Sequence, residues 1–233
     1  MAAPTVGVSA FGSGLATTSF TTSAVTTTAS GSRFLIIIPV SSVPSTVSDS
    51  KGNTYAQKTS LQFDQQAAGQ FFRVYECING TGGAGHTATV TWAASGNRSV
   101  IFVEVLNSAG TDCIVTLVDT ASPYTVTSWG LASSAELAIL VGAADGTSNP
   151  ATFAESTGFT VLQAQQDNSA YNAYFVASKD LTGTNGPITP SFTSTGSAAG
   201  ASILMTFTPI VSAATTPSTL GQFDPSLRIL SWF

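Results

Sequence analysis

The sequence predicts an all-β protein, an antiparallel and jelly-roll-like β-sandwich, and three observations support this fold class. Short runs of β-branched and aromatic residues are separated by clusters of Gly, Pro, Asn and Ser along the chain. The segments HTATVTW and TGFTVLQAQ alternate apolar and polar residues, which is typical of strands with one buried face. No window combines helical spacing with a cap, so we expect less than about a tenth of the chain to be helical.

Two of the predicted strands are apolar almost throughout. FLIIIPV and VIFVEVL lack a polar face, so we expect both strands to be covered on both sides. The predicted strands are Arg33–Val40, Gln70–Cys77, Thr87–Trp92, Ser99–Leu106, Cys113–Val118, Tyr124–Trp129, Leu137–Gly142, Phe159–Ala164, Ala173–Ala177, Ile188–Phe192 and Ser202–Thr208.

The chain also carries an internal repeat at an offset of about 100 residues. SGSRFLIIIPV parallels SSAELAILVGA, and GQFFRVYECING parallels SAYNAYFVASKDLTG. Likewise 48–57 parallels 155–165, and 86–106 parallels 186–206. Two repeated four-strand units would together build one eight-stranded jelly roll. The alternative is two small sandwiches, one per half; we favour one body because no linker-like stretch separates the halves.

Both ends of the chain differ from this body in composition. Residues 1–14 are small and Gly-rich, and we assign them to an N-terminal arm that precedes a β-sandwich body at 15–210. Residues 211–233 begin with Ser, Thr and Pro and end in an apolar peptide. Because such a peptide fits a groove or sheet edge of a partner, we predict an assembly contact there. Its residues are Ile229, Leu230, Trp232 and Phe233.

Charged residues make up 8% of the chain, against about 25% in ordinary soluble domains. A mean hydropathy of +0.28 argues against disorder. Two explanations stay open: Thr and Ser fill the outward strand positions, or much of the surface is buried in an assembly, where unpaired charge is costly.

The charge distribution and the apolar runs limit the partners. The net charge is −5, and the seven Lys and Arg residues form no basic stripe, so we expect no nucleic-acid partner. The strongest apolar run, 34–40, is too short to cross a bilayer, so we expect no membrane partner. The start of the chain lacks a signal-peptide pattern, so we expect the chain to stay in the cytoplasm. We expect Cys77 and Cys113 to be reduced core thiols.

The residues that could carry chemistry are few. His86 follows the Gly-rich loop NGTGGAGH, without a P-loop or a nucleophile elbow, and we expect a dispensable residue of a hairpin loop. Calcium could be bound by oxygen ligands at Asp49, Asn53 and Asp64, or at Asp145 and Asn149. We favour the alternative that these Asp and Asn residues form ordinary turns by bonding to the backbone. We therefore predict no catalytic residue, metal or cofactor, and no enzyme.

Two further groups of residues leave alternatives open. Glu76 and Glu104 lie in apolar strands and could face one cleft as a glycosidase pair, although either could equally mark an edge strand. The segment AYNAY offers a ligand patch at Tyr171, Asn172 and Tyr174, against which we favour packing in the core. Solvent exposure of the Tyr side chains, and of Trp92 and Trp129, would separate a carbohydrate-binding surface from a core.

The motif VSDSKGNTY, residues 47–55, carries a resemblance to a known family. The chain resembles a jelly-roll family found in phage particles and bacterial surface proteins. The resemblance also includes the segments FFRVYECI, TATVTWAASGNRSVIFVEVL and AELAILVGAADG, and the GFT at 158–160. The resemblance covers roughly residues 20–210 and rests on turn chemistry. It implies a jelly-roll fold in a virion or surface context, and no catalytic residues.

These observations lead to a functional hypothesis. We expect a bacteriophage virion structural protein, a capsid decoration or cement protein that binds the major capsid protein and forms a homo-oligomer. Its expected location is the virion, assembled in the host cytoplasm. The alternatives are a tail or fibre protein that contacts the host, and a carbohydrate-binding β-sandwich module.

Overall fold

The computed structural model describes residues 2–62, 71–119, 122–128, 130–131, 133, 135–146, 153–155, 158–166, 172–184, 186–194 and 197–210. These residues form fourteen strands and contain no helix. Thus the described part of the chain offers no helix that could span a membrane. The strands are β1 (Thr5–Thr21), β2 (Ser30–Ser41), β3 (Pro44–Asp49), β4 (Ala56–Gln62), β5 (Phe71–Thr81), β6 (Ala88–Leu106), β7 (Ser108–Asp119), β8 (Tyr124–Thr125), β9 (Leu137–Gly146), β10 (Phe153–Glu155), β11 (Thr160–Gln166), β12 (Asn172–Asp180), β13 (Ser191–Ser194) and β14 (Ser197–Pro209).

The first half of the chain, β1 to β6, folds into two layers that share their longest strands. The main layer has the antiparallel order β1-β6-β2-β5-β4. Near Thr17 and Gly96 the pairing of β1 with β6 shifts register, and beyond this point both strands belong to an outer layer completed by β3. Long strands that run through both layers make this half jelly-roll-like.

The second half repeats this arrangement strand for strand. Its main sheet has the order β7-β14-β9-β12-β11, and a separate small sheet has the order β8-β13-β10. Here β7 with β8 corresponds to β1, and β13 with β14 corresponds to β6. In the same way β9, β10, β11 and β12 correspond to β2, β3, β4 and β5. Each of the long strands β1 and β6 thus corresponds to two described strands of the second half.

Three apolar cores hold these layers together. The central core lies between the two main sheets, and each half has an outer core between its main and outer layers. The central core contains Leu35, Ile37, Phe72, Val74, Ile101, Val103, Val105, Leu137, Ile139, Val141, Ala143, Tyr174, Val176, Ala201, Ile203, Met205 and Phe207. The first outer core contains Ala10, Phe34, Ile36, Ile38, Cys77, Ala88, Val90, Trp92, Val100 and Phe102. The second contains Tyr124, Val126, Ala138, Leu140, Phe159, Phe175, Ala177, Leu181, Phe192 and Leu204.

The alternation along β2 explains its apolar sequence. Leu35 and Ile37 enter the central core, whereas Phe34, Ile36 and Ile38 enter the first outer core. The end of β6 divides in the same way. The prediction that both strands are covered on both sides is therefore confirmed.

The predicted sandwich of repeated halves is confirmed, but the repeated unit is larger than four strands. Each half forms its own two-layered unit, as in the alternative of two small sandwiches, and the halves share the central core. Residues 5–14, which we assigned to an N-terminal arm, instead belong to β1 and pair with β6 over Thr5–Gly14. The small residues of this segment serve packing, since a Cβ on Gly12 would meet the Phe20 ring at 1.9 Å.

Candidate functional site

The most unusual group of side chains in the described structure is a buried polar cluster around His86. The Nε2 atom of His86 lies 3.0 Å from Asp49 Oδ2, and its Nδ1 atom lies 2.8 Å from Thr27 Oγ1. The rings of Phe34 and Phe102 pack on the imidazole with centroids at 4.8 and 4.7 Å. The side chains of His86 and Asp49 are fully buried.

The hydrogen bonds of this cluster form a directed chain. The Asp49 carboxylate only accepts, so Nε2 of His86 donates to it. Nδ1 of the ring bonds to the Thr27 hydroxyl, whose oxygen accepts from the backbone N–H of Gly83 at 3.0 Å. Each side-chain polar atom of Asp49, His86 and Thr27 has a hydrogen-bond partner. The cluster is therefore buried without an unsatisfied polar group.

The VSDSKGNTY motif supplies the acidic end of the cluster. Asp49 Oδ1 accepts from the backbone N–H groups of Lys51 and Asn53 at 2.9 and 3.0 Å, and Oδ2 accepts from the Asn53 amide and the Tyr55 hydroxyl, both at 2.7 Å. Gly52 closes this turn with a φ of +75°. The turn interpretation of Asp49 and Asn53 is thus confirmed, while Asp64 and Asn149 lie outside the described residues.

These contacts shift two pKa values in opposite directions. Burial by itself raises the pKa of Asp49, but the bonds from Asn53, His86 and Tyr55 outweigh burial and hold it below its ordinary value. Burial, followed by the bond to Asp49, raises the pKa of the Tyr55 hydroxyl. Asp49 is therefore ionised and Tyr55 neutral at pH 7.

The expectation that His86 lies at the surface of a hairpin loop is wrong, because its side chain is fully buried. His86 forms a bridge with Val25, in which the backbone N–H of each residue donates to the carbonyl of the other at 3.0 and 2.8 Å. This bridge turns the imidazole inward, between the main and outer layers. The sequence signal was available in part, because Gly-rich loops allow close approach of a neighbouring segment: a Cβ on Gly82 would meet Thr28 O at 2.0 Å.

The arrangement of Asp49, His86 and Thr27 matches a nucleophilic triad in residue types but not in accessibility. Thr27 is only 5% exposed, and its oxygen already accepts a hydrogen bond from the backbone N–H of Gly83. A substrate therefore has no access to this oxygen. Among the described residues of the second half, the corresponding ladder is built without such a cluster: Ser128 donates its N–H to the carbonyl of Ile188 at 2.9 Å. We therefore interpret the cluster as a structural tie between the 22–28 segment, the 49–55 turn and the 80–86 loop.

The two glutamates of the first half point to opposite faces of the main sheet. Glu76 lies opposite Leu35, a residue of the central core, whereas Glu104 lies opposite Phe34, a residue of the first outer core. They cannot flank one substrate, so the glycosidase pair is wrong. Glu104 accepts from Thr28 N at 2.8 Å and from Ser32 Oγ at 2.7 Å.

Glu76 belongs to a second polar cluster, at the boundary between the halves. It forms ion pairs with Arg33 and, at 2.8 Å, with Lys58. Burial alone raises the pKa of Glu76, but the contacts with Lys58 and Arg33 outweigh it and lower this pKa. The Thr111 hydroxyl also donates to Glu76 at 3.1 Å, which links β7 of the second half to β5 of the first.

Tyr174 is the one residue of the proposed ligand patch whose side chain is described, and it does not lie at the surface. Tyr174 is 2% exposed, belongs to the central core, and donates its hydroxyl to Ser99 Oγ at 2.8 Å. Asn172 begins β12 and pairs with Asp145 through its backbone, and Tyr171 lies outside the described residues. Trp92 is 4% exposed, while Trp129 is also outside them. The burial of Tyr174 and Trp92 weighs against a sugar-stacking platform.

The remaining predicted residues divide between core and undescribed segments. Cys77 and Cys113 are buried free thiols, as predicted, and burial raises the pKa of Cys77. The predicted tail contact lies outside the described residues, at Ile229, Leu230, Trp232 and Phe233.

Comparison with models of known protein families, with curated proteins and with solved structures gives no match to this chain. The class of protein is therefore defined by the fold: an all-β protein of antiparallel sheets packed as a sandwich.

Proposed function

We propose that the chain is a structural protein of the bacteriophage virion, a decoration or cement protein attached to the outside of the capsid through contacts with the major capsid protein. The observation that carries the proposal is the scarcity of charge at the surface. Interfaces are depleted of charged residues, and weakly charged surfaces favour association.

The fold makes this surface even poorer in charge than the composition indicates. Among the described charged side chains, seven are buried and six reach solvent. The buried ones are Arg33, Asp49, Arg73, Glu76, Arg98, Glu104 and Glu136. The others are Lys51, Lys58, Asp112, Asp119, Lys179 and Asp180. Buried Arg and Glu are rare in ordinary domains, and here seven of the thirteen described charged side chains lie inside the fold.

Hydroxyl groups occupy the outward positions that charges would normally fill. On the outer layer of the first half, Thr21 pairs with Thr89 and Thr46 with Thr91, with cross-strand hydroxyl distances of 2.9 and 2.5 Å. These side chains satisfy one another and leave a neutral sheet face. A neutral face can be covered by a neighbouring subunit without the cost of burying unpaired charge.

Immunogold labelling tests this proposal directly. Antibodies raised against the folded chain would be applied to particles released from cells that express the gene together with the other genes of its phage. We expect gold on the particle heads. Gold on the tail would instead support the tail or fibre alternative, and a chain recovered only in the unassembled fraction would refute a virion role.

The C-terminal segment offers a second test. Trp232 and Phe233 together could bury about 300–500 Å² on a partner, equivalent to several kcal/mol at about 25 cal/mol per Å². We expect deletion of 219–233 to leave the urea midpoint of the body unchanged and to weaken attachment to particles. A matched variant with the same length, in which only Trp232 and Phe233 become Ser, separates loss of the apolar anchor from loss of chain length. Unfolding of the truncated chain would contradict the assignment of this segment to assembly.

A further inference from the structure

The two halves of the chain are joined by a single residue. β6 ends at Leu106 and β7 begins at Ser108, so Asn107 alone carries the chain from one main sheet to the other. Asn107 has a φ of +55°, in the left-handed region, which Asn tolerates better than most residues with a Cβ but at a higher free energy than Gly. The connection between the halves is therefore both short and strained.

The halves contact each other through side chains. Every described strand pairing lies within one half, so the halves can separate without breaking a β-ladder. The central core supplies the apolar contact, with seven buried residues from the first half and ten from the second. Polar contacts across this interface join Tyr174 to Ser99, Gln163 to Ser9 and Thr111 to Glu76, at 2.8, 3.2 and 3.1 Å.

The interface between the halves has the approximate symmetry of a homodimer. β1 of the first half contacts β11 of the second, and β4 of the first contacts β7 of the second. Since β7 corresponds to β1 and β11 to β4, the two edge contacts are equivalent under exchange of the halves. This is the pattern of an isologous interface, which closes on two partners.

We propose that the chain forms a reciprocal homodimer in which the halves are exchanged: the first half of one copy packs on the second half of the other. All contacts of the central core are the same in the closed monomer and in the exchanged dimer. The balance between them depends on the hinge at Asn107 and on concentration, because exchange relieves the strained turn while association costs entropy. Short, strained hinges favour exchange of this kind.

A cross-linking experiment on the full chain distinguishes the exchanged dimer from other forms. Ser9→Cys and Gln163→Cys place one partly exposed thiol on each half across the interface, where the native side chains touch at 3.2 Å. A short bis-maleimide joins them within one chain in the closed monomer and between two chains in the exchanged dimer. The protein is refolded at several concentrations before cross-linking and analysed by denaturing electrophoresis. We expect covalent dimer whose fraction rises with concentration, and single-cysteine variants control for other cross-links.

Hinge variants test the cause. Asn107→Gly and insertion of a flexible Gly-Ser segment after Asn107 both relieve the strain, and we expect them to reduce the covalent dimer. Asn107→Val increases the strain, and we expect it to raise the dimer fraction at fixed concentration roughly tenfold. Intramolecular cross-links alone at every concentration would overturn the proposal. A dimer by light scattering that yields only intramolecular cross-links would show association without exchange and overturn it equally.

Discussion

Replacement of His86 by Ala tests whether the buried cluster stabilises the fold. The change removes two hydrogen bonds and two ring contacts, and it leaves the Asp49 carboxylate buried without its histidine partner. Loss of a hydrogen-bond partner from a buried polar group typically costs about 1–3 kcal/mol, and the cavity left beside Phe34 and Phe102 adds about 2 kcal/mol or more. We therefore expect His86→Ala to lower the free energy of unfolding by about 3–5 kcal/mol.

Urea denaturation at pH 7, followed by tryptophan fluorescence, measures this loss. Thr87→Ala is the matched control: Thr87 is the next residue and half-buried, and we expect a change within about 0.5 kcal/mol. A double-mutant cycle of His86→Ala with Asp49→Asn isolates the coupling between the two side chains. A loss below about 1 kcal/mol for His86→Ala would refute the role we assign to the cluster, since a surface residue behaves in that way.

Three further predictions follow from buried charge and close packing. The pKa of Asp49 is lowered in the folded state, so its contribution to stability is complete above its unfolded pKa of about 3.9 and is lost as pH falls through the folded pKa. We therefore expect the urea midpoint to fall below about pH 4, and to fall less in Asp49→Asn. Glu76→Gln should lower the free energy of unfolding by about 3–5 kcal/mol, because Arg33 stays buried without its partner. Lys58→Ala removes a partner that is 30% exposed and should lower it by at most about 1 kcal/mol. Equal losses in the two variants would contradict this prediction. Gly200→Ala should lower the thermal midpoint because its Cβ would meet the Tyr124 ring at 2.5 Å, while Gly130→Ala, with no atom within 4 Å, should not.

The sequence predicted the layers of this fold better than their edges. Strands β2 and β9 were predictable because both faces are covered, so their apolar runs are continuous and β-branched. β3 and β4 were missed because they are short and carry mainly polar residues on partly exposed faces. β1 was missed because its Gly residues are typical of a flexible arm, whereas the structure shows that Gly12 makes room for the packed Phe20 ring.

The polar cluster could not have been assembled from local patterns. Asp49 and His86 lie 37 positions apart, and the segment that contains Thr27 is 59 positions from His86. Their contact depends on how the outer layer folds back over the main sheet, which is decided by the register shift near Thr17 and Gly96. The DSKGN turn was predictable from Asp and Gly chemistry, but its carboxylate's further bond to His86 was not.

The contrast between the two halves explains what the cluster contributes. The same strand order is built twice, and at the position of His86 in the ladder the second half has Ile188, which packs on the second outer core. An apolar side chain is therefore sufficient for the layers to pack. A polar cluster is directional, and Asp49, His86 and Thr27 satisfy each other only when the turn, the Gly-rich loop and the 22–28 segment take one relative position. Few surface charges are present to discourage alternative pairings. Placing charge inside the fold therefore specifies one arrangement of these loops.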